Sequence, residues 1–249
     1  MSNRFTANTR PIPILVYHQI AAAPARGSPF RSLYVAPEAF ARQMAWLERL
    51  GYQGLSMTDL EPYLNGHKNG KVAGITFDDG YLNNLSNALP SLKKHGFTST
   101  CYALSGLLGK TNVWDLEKGI AQTALMNEAQ LRQWVFAGQE VGSHTRQHID
   151  LTANDQNKCR LEIALGKKEL ESVVKTPVQH FCYPYGRYQP EHIRMVDTLG
   201  FVTATTTQRS RCHPEMDMLQ LPRIPILRST SLPVFWLKIT TAYEDRRKK

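Results

Sequence analysis

No stretch of this 249-residue chain approaches 18 consecutive apolar residues, which excludes a transmembrane helix. Its first residues, MSNRFTANTRP, lack the apolar segment of a signal peptide. The expectation is therefore a protein of the cytoplasm, or one at the inner face of the membrane. Cysteine is scarce. Cys101, Cys159, Cys182 and Cys212 show neither a CxxC pair nor zinc-finger spacing, which argues against a disulfide scaffold or a zinc finger. Free thiols suit a reducing compartment, and Cys101 and Cys182 fall in strand-like runs where a small buried side chain suffices as explanation. Internal repeats, low-complexity tracts and domain linkers are also lacking. The net charge of +9 comes without a basic–aromatic motif, so nucleic acid is not an expected partner. What is present is a chain 42% hydrophobic, long enough for one substantial core and consistent with a single domain over 1–249.

Strand and helix signals alternate along the chain. IPILVYHQI (12–20) is an apolar strand that delivers His18 at its end, followed by a Pro/Gly/Ser-bearing loop, APARGSPFRS. PEAFARQMAWLERLGY predicts a helix opened by Pro37 and closed by Gly51, with Phe40, Met44, Leu47 and Leu50 on one face. A short helix follows Ser56 as cap. KVAGITF (71–77) is β-branched and apolar, a buried strand ended by Gly80. After it comes a helix interrupted or restarted at Pro90, then the strand TSTCYALS. Residues 105–126 are weakly periodic and predict a loop with a helical turn. Asn127 caps the next helix, and Thr152 is expected to cap the longest one. QHFCYP, EHIRMVDTLG and FVTATTT complete the alternation. A βα pattern throughout argues for a parallel sheet or barrel, with the site on loops at the C-terminal ends of the strands. In the last segment, 228–249, Leu232, Phe235, Trp236, Ile239 and Tyr243 recur at helical spacing ahead of a basic tail. That pattern predicts a helix closing the barrel. The sharper reading is peripheral contact with an anionic membrane surface, where a lipid-linked sugar would be the substrate.

Two short motifs carry the chemistry. Asp78 and Asp79 stand at the end of the strand in ITFDDGY, and adjacent strand residues point to opposite faces, so the two carboxylates should do different jobs. His144 and His148 follow the strand QEVGSHT, and a helical turn there would stack both imidazoles on one side. One carboxylate and two imidazoles can hold a divalent metal with coordination positions left open, and the spare carboxylate can serve as base beside it. Two histidines four apart are also common as a chance surface pair; the Asp pair ending another strand favours the metal.

TFDDG followed by HTxxH resembles the first two motifs of the polysaccharide deacetylases, the carbohydrate esterase family 4 or NodB-homology group, and FCYPYG (181–186) resembles the third. The resemblance spans roughly residues 10–226. It implies an α/β fold, a distorted (β/α) barrel of about seven strands, and metal-dependent hydrolysis of an N-acetyl or O-acetyl group on a sugar. By motif match Asp78 is the base, and Asp79, His144 and His148 are the metal ligands. Zinc is the first expectation, with cobalt, nickel, manganese or iron as alternatives. There are two departures. Many members carry an arginine in the third motif that holds the catalytic aspartate; here Cys182 and its neighbours occupy that stretch. Many also carry a C-terminal Leu-x-His whose histidine acts as acid, whereas this chain reads LQLPRIPILRS. His18 resembles the acid of the permuted branch containing poly-β-1,6-N-acetylglucosamine de-N-acetylases, and it calls for a carboxylate beside it. Arg223 is the candidate for the missing positive charge. The backbone N–H of Tyr185 is the candidate oxyanion donor. Trp114, Tyr17 and Tyr188 are candidates to stack on sugar, against the plain alternative that each pins its own loop. A non-catalytic carbohydrate-binding module on the same fold is the competing reading. A glycosidase fits poorly, because its two carboxyl groups must flank a bond about 5 to 9.5 Å apart. A non-haem iron oxygenase would use the same ligand types.

Overall fold

The computed structural model describes residues 10–247. Its strands in chain order are β1 (Ile14–Tyr17), β2 (Gln19–Ile20), β3 (Tyr34–Val35), β4 (Gln53–Leu55), β5 (Val72–Phe77), β6 (Thr100–Ala103), β7 (Glu140–Ser143), β8 (His180–Cys182), β9 (Thr203–Arg209) and β10 (Leu221–Pro225). The helices are α1 (Pro37–Arg49), α2 (Met57–Leu64), α3 (Leu89–Lys94), α4 (Glu128–Phe136), α5 (Gln156–Val174), α6 (Pro190–Thr198) and α7 (Leu232–Thr240). Around the main sheet the order is β1-β10-β9-β8-β7-β6-β5, and β5 pairs back to β1, from Ile14 opposite Gly74 to Tyr17 opposite Phe77. Seven parallel strands thus close into a barrel, the fold that the motifs imply. The eighth strand, β4, extends the sheet along the first half of β5, and β2 and β3 form a separate pair.

Alternation along the strands sorts side chains to two sides. Leu15 and Tyr17 join the large cluster that contains Phe40 and Met44 of α1, whereas Ile14 joins Tyr102, Cys182 and Leu221 in a second cluster inside the ring. Met57 and Leu60 of α2 belong to that inner cluster and close the barrel at the N-terminal ends of its strands. Gly74 makes room for this plug: a Cβ there would meet Leu60 at 2.8 Å.

Helix α1 runs where Pro37 and the apolar stripe predict, and α4 opens with a full capping box between Asn127 and Gln130. The longest helix, α5, starts later than expected. Its cap is Asp155, whose carboxylate accepts from Lys158 N at 3.0 Å; Thr152 instead sits in an isolated turn held by Asp150. A charged acceptor at the positive end of the helix outcompetes the hydroxyl three residues earlier. At Pro90 the chain does not break. A wide turn over Asn84–Ala88 leads directly into α3, where the proline occupies the first turn and has no helical N–H to lose.

The apolar stripe of α7 faces the core through Phe235 and Ile239, leaving Trp236 exposed. The tail beyond it is pinned by acids. Glu244, fully buried, pairs with Arg209 and Lys238, and Asp245 pairs with Arg211. Lys248 and Lys249, the end of the expected basic tail, lie outside the described residues. No helix among the described residues is long and apolar enough to cross a membrane.

Candidate metal centre and its cleft

Asp78 is still in the barrel ladder, its N–H donating to the Tyr17 carbonyl at 2.9 Å. Asp79 then takes a left-handed conformation (φ 71°) and Gly80 follows with φ 74°, so the chain turns sharply and the two carboxylates part company. Asp78 receives a two-pronged bond from Arg223, both contacts 2.7 Å. The guanidinium comes from β10, is 1% exposed, and also donates to Thr206 O, Thr76 Oγ1 and Cys182 Sγ at 3.0, 3.2 and 3.1 Å. The arginine missing from the third motif is thus matched by one on another strand, with Cys182 packed against it. Burial pushes the Asp78 carboxyl up, but Arg223 outweighs it and holds the group below its ordinary value.

Asp79 faces the histidines. Its Oδ1 lies 3.5 Å from His144 Nε2 and 3.4 Å from His148 Nε2. The helical turn expected between the two imidazoles does not form. Thr145 (φ 67°) and His148 (φ 60°) are both left-handed, and this folded loop, not helical spacing, brings the rings edge to face at 4.9 Å. The loop is held from α5. Glu162 accepts from the N–H groups of Arg146 and Gln147 at 3.1 and 2.8 Å, and Gly166 lets the helix approach, since a Cβ there would sit 3.1 Å from the Thr145 carbonyl carbon. Neither support could be read from the sequence, because both depend on where α5 docks.

The donor set fits a divalent cation. His144 Nδ1 donates to the Cys182 carbonyl at 2.7 Å, which leaves Nε2 as the ligating nitrogen. Burial, reinforced by His144, pushes His148 down to about 3, so its imidazole is neutral, the form a metal requires. Its Nδ1 is buried with no hydrogen-bond partner among the described residues. Burial opposes charge on His144 also, but Cys182 and the Asp79 carboxylate outweigh it and raise that group well above its usual value. Two donors each about 2.0–2.1 Å from a tetrahedral zinc stand roughly 3.3–3.4 Å apart. The separations of 3.4 and 3.5 Å match that spacing and are long for direct hydrogen bonds. A second cluster, Asp78, His144 and Cys182, is equally compact. It fits less well, because the Arg223 guanidinium already sets a positive charge against both Asp78 and Cys182 Sγ, which opposes a cation there.

The centre opens into a cleft of about 130 Å³. His18, just past β1, lines it together with both aspartates. Tyr185 also lines the cleft, in a left-handed turn (φ 58°), its ring 4.5 Å from that of His148. Trp114 pins its loop and also lines the cleft. It packs on the Tyr81, Leu104 and Leu107 cluster and stacks 4.7 Å from His148 at the cleft wall. Neither of the other two aromatic candidates lines the cleft. Tyr17 is fully buried between Phe40 and Phe77 and bonds Gln43, so it cannot meet a sugar. Tyr188 lies outside the cleft lining and stacks on Tyr183, which does line it. Strand alternation explains the first error, for Tyr17 and His18 are adjacent and must face opposite ways. Tyr81 is a cleft residue that motif reading passed over, although it directly follows DDG; burial and the Asp79 charge raise its hydroxyl above the ordinary value.

The polysaccharide deacetylase family model matches residues 65–204, which include Asp78, Asp79, His144 and His148. The chain belongs to the polysaccharide deacetylase family. Among curated relatives, YxkH of Bacillus subtilis (strain 168) is 28% identical over 217 residues, 86% of this chain and 71% of that protein. The poly-β-1,6-N-acetyl-D-glucosamine N-deacetylase of Staphylococcus aureus (strain MRSA252) is 24% identical over 204 residues, 77% of this chain and 67% of that protein. Among solved structures, the Streptococcus pyogenes deacetylase PplD in complex with acetate superposes with a TM-score of 0.81 at 26% identity, over 93% of this chain and 99% of that one.

Proposed function

We propose that this protein is a divalent-metal-dependent hydrolase that removes the acetyl group from an N-acetylated amino sugar of a polysaccharide or lipid-linked glycan. The observation that carries this reading is the convergence on one cleft of Asp79, His144 and His148 with the separately held Asp78–Arg223 pair and His18. The relatives named for N-deacetylation and the neighbour named with acetate support it.

Asp79, His144 and His148 would hold the ion, zinc by the spacing of their donor atoms. When bound, the ion supplies Lewis acidity toward the acyl carbonyl and the attacking water. Asp78 takes the proton of that water as general base; the Arg223 fork keeps it ionised and aims it. The Tyr185 backbone N–H, presented by the left-handed turn, donates to the oxygen that becomes negative as the carbonyl carbon turns tetrahedral. His18 protonates the departing nitrogen, which an unassisted amine cannot leave without. Trp114 offers a flat apolar wall to the C–H face of a pyranose ring.

The test is calorimetric titration of metal-stripped protein with zinc, alongside His144→Ala, followed by assay of acetate release from β-1,6-linked N-acetylglucosamine oligomers. Stoichiometric binding by the wild type, lost in the variant, is the expected result. Wild-type protein that binds no zinc would overturn the mechanism.

A further inference from the structure

Beyond Asp78 and His18 the cleft continues into a second chamber of about 280 Å³. His18, Asp78, Phe30, Leu33 and Thr207 line both spaces and form a waist between them. The two sides of that waist differ in chemistry. Toward the metal ligands the wall carries Trp114, Asp115 and Tyr185, groups suited to a sugar. On the far side it carries Val16, Pro225 and Leu227, with the Arg223 guanidinium already engaged by Asp78.

A substrate held across the waist has its scissile amide between the base and the acid. Its sugar then occupies the aromatic side. The substituent on the other side of the amide is the acyl chain, and it enters the aliphatic chamber. An acetyl group would place a single methyl there, which leaves space in the chamber for a longer chain.

We propose that this chamber is an acyl-chain pocket and that the enzyme hydrolyses N-acyl groups longer than acetyl, such as propionyl and butyryl, on amino sugars. The inference rests on the hydrolase reading above. In the reaction the water oxygen bonds to the acyl carbon and the carbon–nitrogen bond breaks. The products are a carboxylic acid and a free amine, with the second water hydrogen delivered to nitrogen.

Two measurements on the zinc-loaded protein test it. The first is calorimetric binding of acetate and butyrate, the two product acids. Each buried methylene strengthens binding by roughly three- to fourfold, so butyrate should bind about tenfold tighter than acetate. The second is hydrolysis of a β-1,6-linked glucosamine oligomer carrying acetyl, propionyl or butyryl groups, with kcat/KM for butyryl expected to equal or exceed that for acetyl. In Leu227→Trp, which fills the chamber, the butyryl-to-acetyl ratio should fall about tenfold or more. If acetyl is removed but butyryl reacts tenfold more slowly, and butyrate binds no tighter than acetate, the pocket is wrong and the deacetylase reading stands. If no acyl group is removed from any oligomer, both readings fall together.

Discussion

The two ends of the barrel each bury a carboxylate against histidine, and they do so in opposite ways. At the N-terminal end, Glu140 opens β7 and His180 opens β8. Glu140 accepts from the N–H groups of Met57 and Thr58 at the start of α2 and from the hydroxyls of Thr58 and Thr100. His180 uses both ring nitrogens, one toward Thr203 Oγ1 at 2.8 Å and the other toward Thr58 Oγ1 at 2.9 Å. Every acceptor there has a donor, and a helix N-terminus adds its favourable dipole. At the C-terminal end, Asp79 faces two imidazole nitrogens too far for good hydrogen bonds, and His148 Nδ1 has no partner among the described residues. Similar residue types thus make a finished network at one end and an incomplete one at the other. A finished network is structural; an incomplete buried one, open to a cleft, is built to receive something.

The largest expected effect separates the two ends by function. Asp79→Ala or His144→Ala should abolish stoichiometric zinc binding and lower deacetylation by about a thousandfold, the scale expected when a transition-state electrostatic partner is lost. Glu140→Ala should leave zinc affinity unchanged by calorimetry. A loss of affinity there would mean that the two ends are coupled and the division is wrong.

Next in size is Arg223→Met, which strands the buried Asp78 charge and should destabilise the fold by about 3–5 kcal/mol in urea titrations. Without the guanidinium, the largest influence that lowers the Asp78 carboxyl is gone, burial weighs more, and its pKa rises. The base is then protonated at higher pH, so the acid limb of the rate profile should move upward in pH. For stability the sign is the same in origin. Asp78 with its lowered folded pKa contributes stability above the ordinary carboxylate range, and that contribution is lost as pH falls through the folded value.

Glu140→Ala should cost about 2 kcal/mol of stability, since it leaves the Thr58 N–H and the Thr58 and Thr100 hydroxyls without their acceptor in a site that is partly accessible. The smallest effect, about 1 kcal/mol, is expected of Asn127→Ala, whose side chain bonds only within the α4 cap and not to either network, and it should shift Tm alone. A change in zinc affinity from that variant would show that the contrast between the ends is not local.

The candidate site residues were legible because they follow strands. His18, Asp78, Asp79, His144 and Tyr185 each come directly after an apolar run, and a parallel barrel brings such positions to one rim. What could not be read was how they are held. The role of Glu162 depends on the docking of α5, and the meeting of His144 and His148 depends on two left-handed residues that no period encodes. Tyr17 shows the converse error: an aromatic next to a site residue looked like part of the site, and the strand turned it into the core.

By itself the chain determined the alternation of strands and helices, the motif residues and the order in which they reach the rim. These rest on side-chain period, on turn-forming residues and on neighbours within a few positions. Only the tertiary structure decided that Arg223 would hold Asp78 across 145 residues and that the cleft would continue past them into an aliphatic chamber. Both depend on which strands become neighbours when the ring closes, and closure is settled by the packing of all seven strands together.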